Sequence, residues 1–79
     1  MTRQDIFLKI EAICHRIFGE ETLITEETTS SEIEKWDSMN HVLLIAAIEN
    51  EFDIQFDIME IIEINTIGNF INLIEKKQN

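Results

Sequence analysis

Ile6, Ile10, Ile13 and Ile17 recur at steps of three and four residues, with Phe7, Cys14 and Phe18 beside them. That spacing lays one apolar stripe along an amphipathic helix. Thr2 and Asp5 have the spacing of a capping box, with Asp in place of the usual Glu or Gln. Gly19 stands where a left-handed residue commonly ends a helix. From Glu20 to Trp36 the chain turns polar and rich in Thr, Ser and Glu, and only Leu23, Ile24, Ile33 and Trp36 are available to pin it to a core. Such a length of connection is usually functional or mobile. A second helix is predicted from about Ser38 to Phe52. Ile54, Phe56 and Ile58 then alternate with Gln55 and Asp57, a strand signal if taken alone. No second strand is available to pair with it, so the segment reads as an extended link into a short helix near Ile58 to Glu63. The last helix begins at Thr66, whose hydroxyl can cap it, and buries Ile67, Phe70, Ile71 and Ile74. The expected fold is all-α: a small four-helix bundle forming a single domain, 1–79, with a long loop between helices one and two and a short third helix.

Two apolar faces run along the second helix. At about 100° per residue, His41, Leu44, Ile45, Ile48 and Phe52 fall on one side. Met39, Val42, Leu43 and Ala46 fall on the other, near Ser38. One stripe suffices for a bundle, so the second must meet another helix or another protein. Glu51 lies close to the first stripe, and the pattern gives no reason for a charge there.

Composition narrows the class. A chain of 79 residues that is 44% hydrophobic folds around one modest core, hiding only about 60% of its unfolded surface. The net charge of −10 is concentrated: 13 acidic residues and one basic residue, Lys35, lie between Glu20 and Glu63. Such a middle repels phosphate backbones and anionic headgroups, which argues against nucleic acid and membrane-surface roles. It attracts basic protein surfaces, although solubility alone would also account for it. A lone cysteine, Cys14, allows no intramolecular disulfide and fits a reducing compartment. The N-terminus has no secretory apolar stretch, and the longest apolar run, Val42 to Ile48, is far below the roughly 20 residues of a membrane span. The expectation is a cytoplasmic, soluble monomer.

Ser38, preceded by Asp37, would open the second helix. The unpaired N–H groups and positive dipole end there favour an anion, so a phosphodiester on that hydroxyl would be well placed. A simple helix cap would explain the same pair of residues. Asp37-Ser38-Met39 opening a helix that ends in Glu49-Asn50-Glu51-Phe52, together with the order of the other elements, resembles the acyl carrier protein family. The family's attachment motif is Asp-Ser-Leu, and its second helix likewise closes in acids followed by Phe. The resemblance spans nearly the whole chain. It implies that Ser38, flanked by Asp37 and Met39, receives 4′-phosphopantetheine from coenzyme A through a phosphopantetheinyl transferase. It implies also that the arm carries acyl groups as thioesters, that the protein is not an enzyme, and that its acidic second helix docks on basic patches of loading and processing enzymes. Met39, Val42, Leu43, Ala46 and Glu49 are the docking candidates.

Several positions depart from the family pattern. Glu34-Lys35-Trp36 stands where Leu-Gly and one further residue are common, Met39 replaces Leu, and Asn40, His41 and Leu43 replace polar or acidic positions. Trp-Asp-Ser followed by Asn-His looks like carriers of specialised lipid or polyketide pathways more than the fatty-acid-synthesis one. Met after the serine also occurs in carriers of D-alanine, so an aminoacyl or peptidyl carrier is an alternative. An unmodified helical interaction module is another. Asp37, Ser38 and His41 are the wrong set for a hydrolase, with no Gly-x-Ser-x-Gly elbow and no oxyanion-hole segment. Cys14, His15 and His41 are too scattered for a zinc pattern. Cys14 is expected to be a buried small hydrophobe, His15 a surface residue, and Trp36 a plug holding the loop to the bundle.

Overall fold

The computed structural model describes residues 1–78. Its described residues form four α-helices, α1 (Arg3–Phe18), α2 (Ser38–Phe52), α3 (Ile58–Glu63) and α4 (Ile67–Gln78), with a 3-10 turn at Ser30–Glu32 inside the long loop. The all-helical bundle expected from the periodicity is the observed fold.

Helix α1 starts as its sequence dictates. The Thr2 hydroxyl accepts the Asp5 N–H at 3.1 Å, and the Asp5 carboxylate accepts the Thr2 N–H at 3.1 Å. The Thr2 N–H first, and the Thr2 side chain second, hold the Asp5 carboxyl below its ordinary range. At the far end Gly19 has φ +112° with an extended ψ of 148°, so it is not the left-handed cap that was expected. The positive φ still requires glycine, and the Gly19 N–H bonds the His15 carbonyl at 3.0 Å.

Helix α1 packs against both α2 and α4. Ile6, Ile10 and Ile13 of α1, Leu44 and Ile48 of α2, and Phe70 and Ile71 of α4 meet in one fully buried cluster. Ile6, Ile10 and Ile13 belong to the sequence-read stripe, whereas Ile17 is only partly buried at its edge. Glu51, unexplained by the pattern, pairs with Lys9 of α1 at 3.3 Å.

The loop between α1 and α2 is stitched down. The Ile67 and Gly68 N–H groups, orphan donors of the first turn of α4, bond the Thr28 and Glu26 carbonyls at 3.1 and 2.8 Å. A Cβ on Gly68 would sit 3.1 Å from the Glu26 carbonyl oxygen, so the close approach itself selects glycine. Thr28 is buried, and its hydroxyl accepts the Thr25 N–H at 2.9 Å. The Arg3 guanidinium holds Glu26 and Glu75, both at 2.7 Å, joining loop and α4 to the start of α1. Leu23 does not help: at 88% exposure it points away from the core, and Ile24 is the buried member of that pair. His15 is half-buried rather than a surface residue, because its Nε2 lies 3.0 Å from the Thr22 carbonyl oxygen.

After α2, Asp53 takes a left-handed conformation (φ 54°, ψ 51°) and the chain runs extended to α3. The strand signal of 54–58 thus marks a link, with Phe56 buried and Ile58 exposed. Helix α3 buries none of its residues fully. An ionic tether holds it to α4: the Glu60 carboxylate accepts from Lys77 at 2.8 Å and from the Asp57 N–H at 2.8 Å. Lys77 first, and the Asp57 N–H second, hold the Glu60 carboxyl below its ordinary value. A depressed folded pKa contributes stability at neutral pH that disappears as pH falls through that folded value. Glu60→Gln is therefore expected to lower the melting temperature at pH about 7, and the gap to the unmutated protein should close below the ordinary carboxylate pKa of about 4.3. Thermal unfolding over that range measures it, and an equal gap at both ends would show that the pair is not the source.

Candidate functional site: the N-terminus of helix α2

The start of α2 is fixed by Asp37, the N-cap. Its Oδ1 accepts the Asn40 N–H at 2.9 Å and its carbonyl accepts the His41 N–H at 2.8 Å. Asn40 reaches back through Nδ2 to the Lys35 carbonyl at 2.7 Å, locking the approach of the loop. Asp37 therefore does the capping, and the exposed Ser38 hydroxyl lies outside the cap at the first helical position. No acidic residue follows in the first turn of α2, so within the helix no carboxylate adds to the Asp37 cap at its positive dipole end.

Trp36 seats this corner on the core. It is 6% exposed, with its ring centroid 5.7 Å from that of Phe18, 6.0 Å from His41 and 6.5 Å from Phe70. Its indole Nε1–H donates to His41 Nδ1 at 2.9 Å. The plug expected from the sequence is present, but its bond to His41 was not foreseen: residues five apart in a loop and a helix carry no periodic signal.

A cavity of about 380 Å³ opens at Ser38, which lines it together with Ser30, Trp36, Asp37 and His41 and with Ile61, Ile62 and Ile64 from the region of α3. The lining mixes hydroxyl, carboxylate and imidazole groups with apolar side chains. A group with a phosphate at its root and a flexible, partly apolar arm suits such a lining. Ser38 and His41 share the cavity, yet the His41 Nδ1 is taken by Trp36, which leaves no serine–histidine–acid relay. Among the described residues no three His, Cys, Asp or Glu side chains come together to hold a metal ion.

The chain's one thiol is shielded and poorly ionised. Cys14 is buried, and burial first, with nearby Glu11 second, pushes its pKa up to about 12.

Met39, Val42 and Leu43 are exposed by 74%, 65% and 51%, and Ala46 is exposed as well. Leu43 also borders a shallow groove with Ile13, Arg16 and Ile17 of α1. Glu49 is half-buried and has a local task, since its Oε2 accepts the Phe56 N–H at 2.8 Å. The exposed apolar surface is larger than the sequence pattern suggested, because Ile58, Met59 and Ile62 of α3 are also open to solvent. A helix of six residues is too short for its outer face to be read from periodicity.

A family model described as a phosphopantetheine attachment site matches residues 9–74. The acyl carrier protein of Thermotoga maritima is 32% identical over 77 residues, covering 96% of this chain and 95% of its own. The acyl carrier protein of Streptococcus pyogenes serotype M1 is 34% identical over 73 residues, covering 91% and 95%. Members of this family are carriers rather than enzymes, and they work with a phosphopantetheinyl transferase and with biosynthetic enzymes. The exposed serine at a helix start and the mixed polar and apolar cavity beside it fit that role, and the chain belongs to the acyl carrier protein family, whose prosthetic group is covalently attached 4′-phosphopantetheine.

Proposed function

We propose that Ser38 is the attachment residue and that the chain carries acyl intermediates as thioesters, presenting them to partner enzymes as a cytoplasmic monomer. The observation that carries this reading is the uncapped, exposed Ser38 hydroxyl beside the cavity at the start of α2. In the attachment step the Ser38 oxygen forms a bond to the pantetheine-bearing phosphorus of coenzyme A. The bond from that phosphorus to the nucleotide breaks, the adenosine bisphosphate leaves, and the hydroxyl proton passes to a base of the transferase. Asp37 and Met39 flank the reacting oxygen and are the contacts offered to that enzyme. Once bound, the group supplies the terminal thiol on which the cargo is held. No helix among the described residues is long and apolar enough to cross a membrane, which supports a carrier that meets its partners in solution. Incubation with coenzyme A and a broad-specificity transferase should add one phosphopantetheine mass, and fragmentation should locate it on Ser38. Modification at another residue, or none with several transferases, would overturn the assignment.

Partner docking is assigned to Met39, Val42, Leu43 and Ala46, joined by Ile58, Met59 and Ile62 of α3, with Glu49 offering its second carboxylate oxygen to a basic patch. Leu43 gives the sharpest test because it is half open to solvent. Leu43→Glu should change stability by no more than about 0.5 kcal/mol, as for ordinary surface positions. It should slow loading by the cognate enzyme at least about tenfold, since apolar anchors near an interface centre dominate binding. Large destabilisation would place Leu43 in the core, and unchanged loading would remove it from the interface.

A further inference from the structure

We propose that His41 is a positioning residue for the prosthetic group, held by Trp36 so that its Nε2–H is directed to the phosphodiester on Ser38. The inference rests on Ser38 being the attachment residue. An indole nitrogen only donates, so the 2.9 Å contact between Trp36 Nε1 and His41 Nδ1 requires an unprotonated Nδ1. The ring is then neutral, with its one proton on Nε2. Stacking against Trp36 at 27° and tilted contact with Phe70 at 6.2 Å restrict its rotation further.

The opposite edge of the ring is open. No buried side-chain nitrogen or oxygen among the described residues lacks a partner, and Nε2 bonds to none of them, so it lies at an accessible edge. His41 lines the cavity beside Ser38, and residues three apart on a helix are surface neighbours. The charges facing this space are few. Asp37 is the one ionisable group besides His41 in the cavity wall, and its Oδ1 is engaged by the Asn40 N–H. The region of α3 contributes only Ile61, Ile62 and Ile64 to the wall, and α4 contributes Phe70 behind the ring. A phosphodiester on Ser38 would thus find two donor sources: the first-turn N–H groups of α2 and the His41 Nε2–H.

The coupling has a consequence for Trp36. Protonating His41 would place a hydrogen on Nδ1 facing the indole N–H, so the Trp36 bond and the neutral tautomer stand or fall together. Trp36 is therefore a reporter on the same arrangement.

The test uses holo-protein in which mass spectrometry has located the arm on Ser38, so that failure of attachment is scored against the function and not against this proposal. Nitrogen-15 spectra should show the His41 ring as the Nε2-protonated tautomer. Proton spectra should show through-space contacts from the His41 ring to the first groups of the arm. In His41→Phe, which keeps an aromatic ring but has no donor, these contacts should vanish and the phosphorus-31 resonance should move toward that of free phosphopantetheine. His41→Gln should restore part of that shift. Trp36→Phe, which keeps His41 and most of the packing, should yield a tautomer mixture and weaker arm contacts. A phosphorus-31 resonance identical in the unmutated holo-protein, His41→Phe and Trp36→Phe would overturn the proposal. So would a dominant Nδ1-protonated ring.

Discussion

Ser38→Ala is expected to remove modification completely while leaving the fold intact. The hydroxyl lies outside the cap, and Asp37 keeps its bond to the Asn40 N–H without it. Alanine is the most favourable helix residue, and the position is exposed, so the stability change should stay within about 0.5 kcal/mol. Intact mass after incubation with transferase and coenzyme A should show only the unmodified chain, with a melting temperature matching that of the unmutated apo-protein. This separation of chemistry from folding is what distinguishes an attachment residue from a cap: loss of a true cap typically costs about 1 kcal/mol. Marked destabilisation by Ser38→Ala would reassign the hydroxyl to a structural role, and residual modification would point to a second site.

Phe70→Ala should come close to unfolding the protein. Phe70 is completely buried, and its ring lies within 6.5 Å of those of Trp36, His41 and Phe56, joining the loop corner, α2 and the link after α2 to α4. Truncating a buried phenylalanine costs about 3–5 kcal/mol, against a total of about 5–15 kcal/mol for ordinary domains. A chain of 79 residues belongs at the low end of that range. The expected loss in melting temperature is well over 10 °C, since each kcal/mol moves a domain of this size by roughly 4–8 °C. Urea unfolding followed by Trp36 fluorescence and by far-UV circular dichroism gives the number. If the alanine variant does not fold at all, Phe70→Leu gives a graded loss by the same measurement. A cost under about 1 kcal/mol for the alanine change would mean that the aromatic contacts are dispensable.

The helices were legible where one residue type both signals and performs a task. Thr2 and Asp5 show a capping box in sequence and form one in the fold. Asp37 and Ser38 mark the start of α2, although the sequence did not decide which of them caps it. Ile6, Ile10 and Ile13 repeat at helical spacing because one side of the helix must leave water. Periodicity names a face but never its partner. Arg3 meets Glu26 and Glu75 from 23 and 72 residues away, and Glu51 meets Lys9 from 42 away, so these pairs exist only once the chain has folded. The loop was read least well. Leu23 and Ile24 are equally apolar neighbours, but the backbone path from Gly19 turns one outward and one inward. Part of the loop's hold is carbonyl bonds to the start of α4, which leave little mark in the sequence beyond the glycine forced at Gly68. At the candidate site, the motif residues Asp37 and Ser38 coincide with the start of α2. The Trp36–His41 bond and the outer face of α3 were not legible in the sequence.

The burial of Cys14 makes the holo-protein simple to assay. Burial pushes this thiol up to about 12, so very little of it is thiolate at neutral pH, quite apart from being shielded by the core. Alkylating or disulfide-forming reagents under native conditions should therefore count the arm alone. Free arm would be labelled and an arm holding the proposed thioester cargo would not, so the ratio would read occupancy with no cysteine to mutate away.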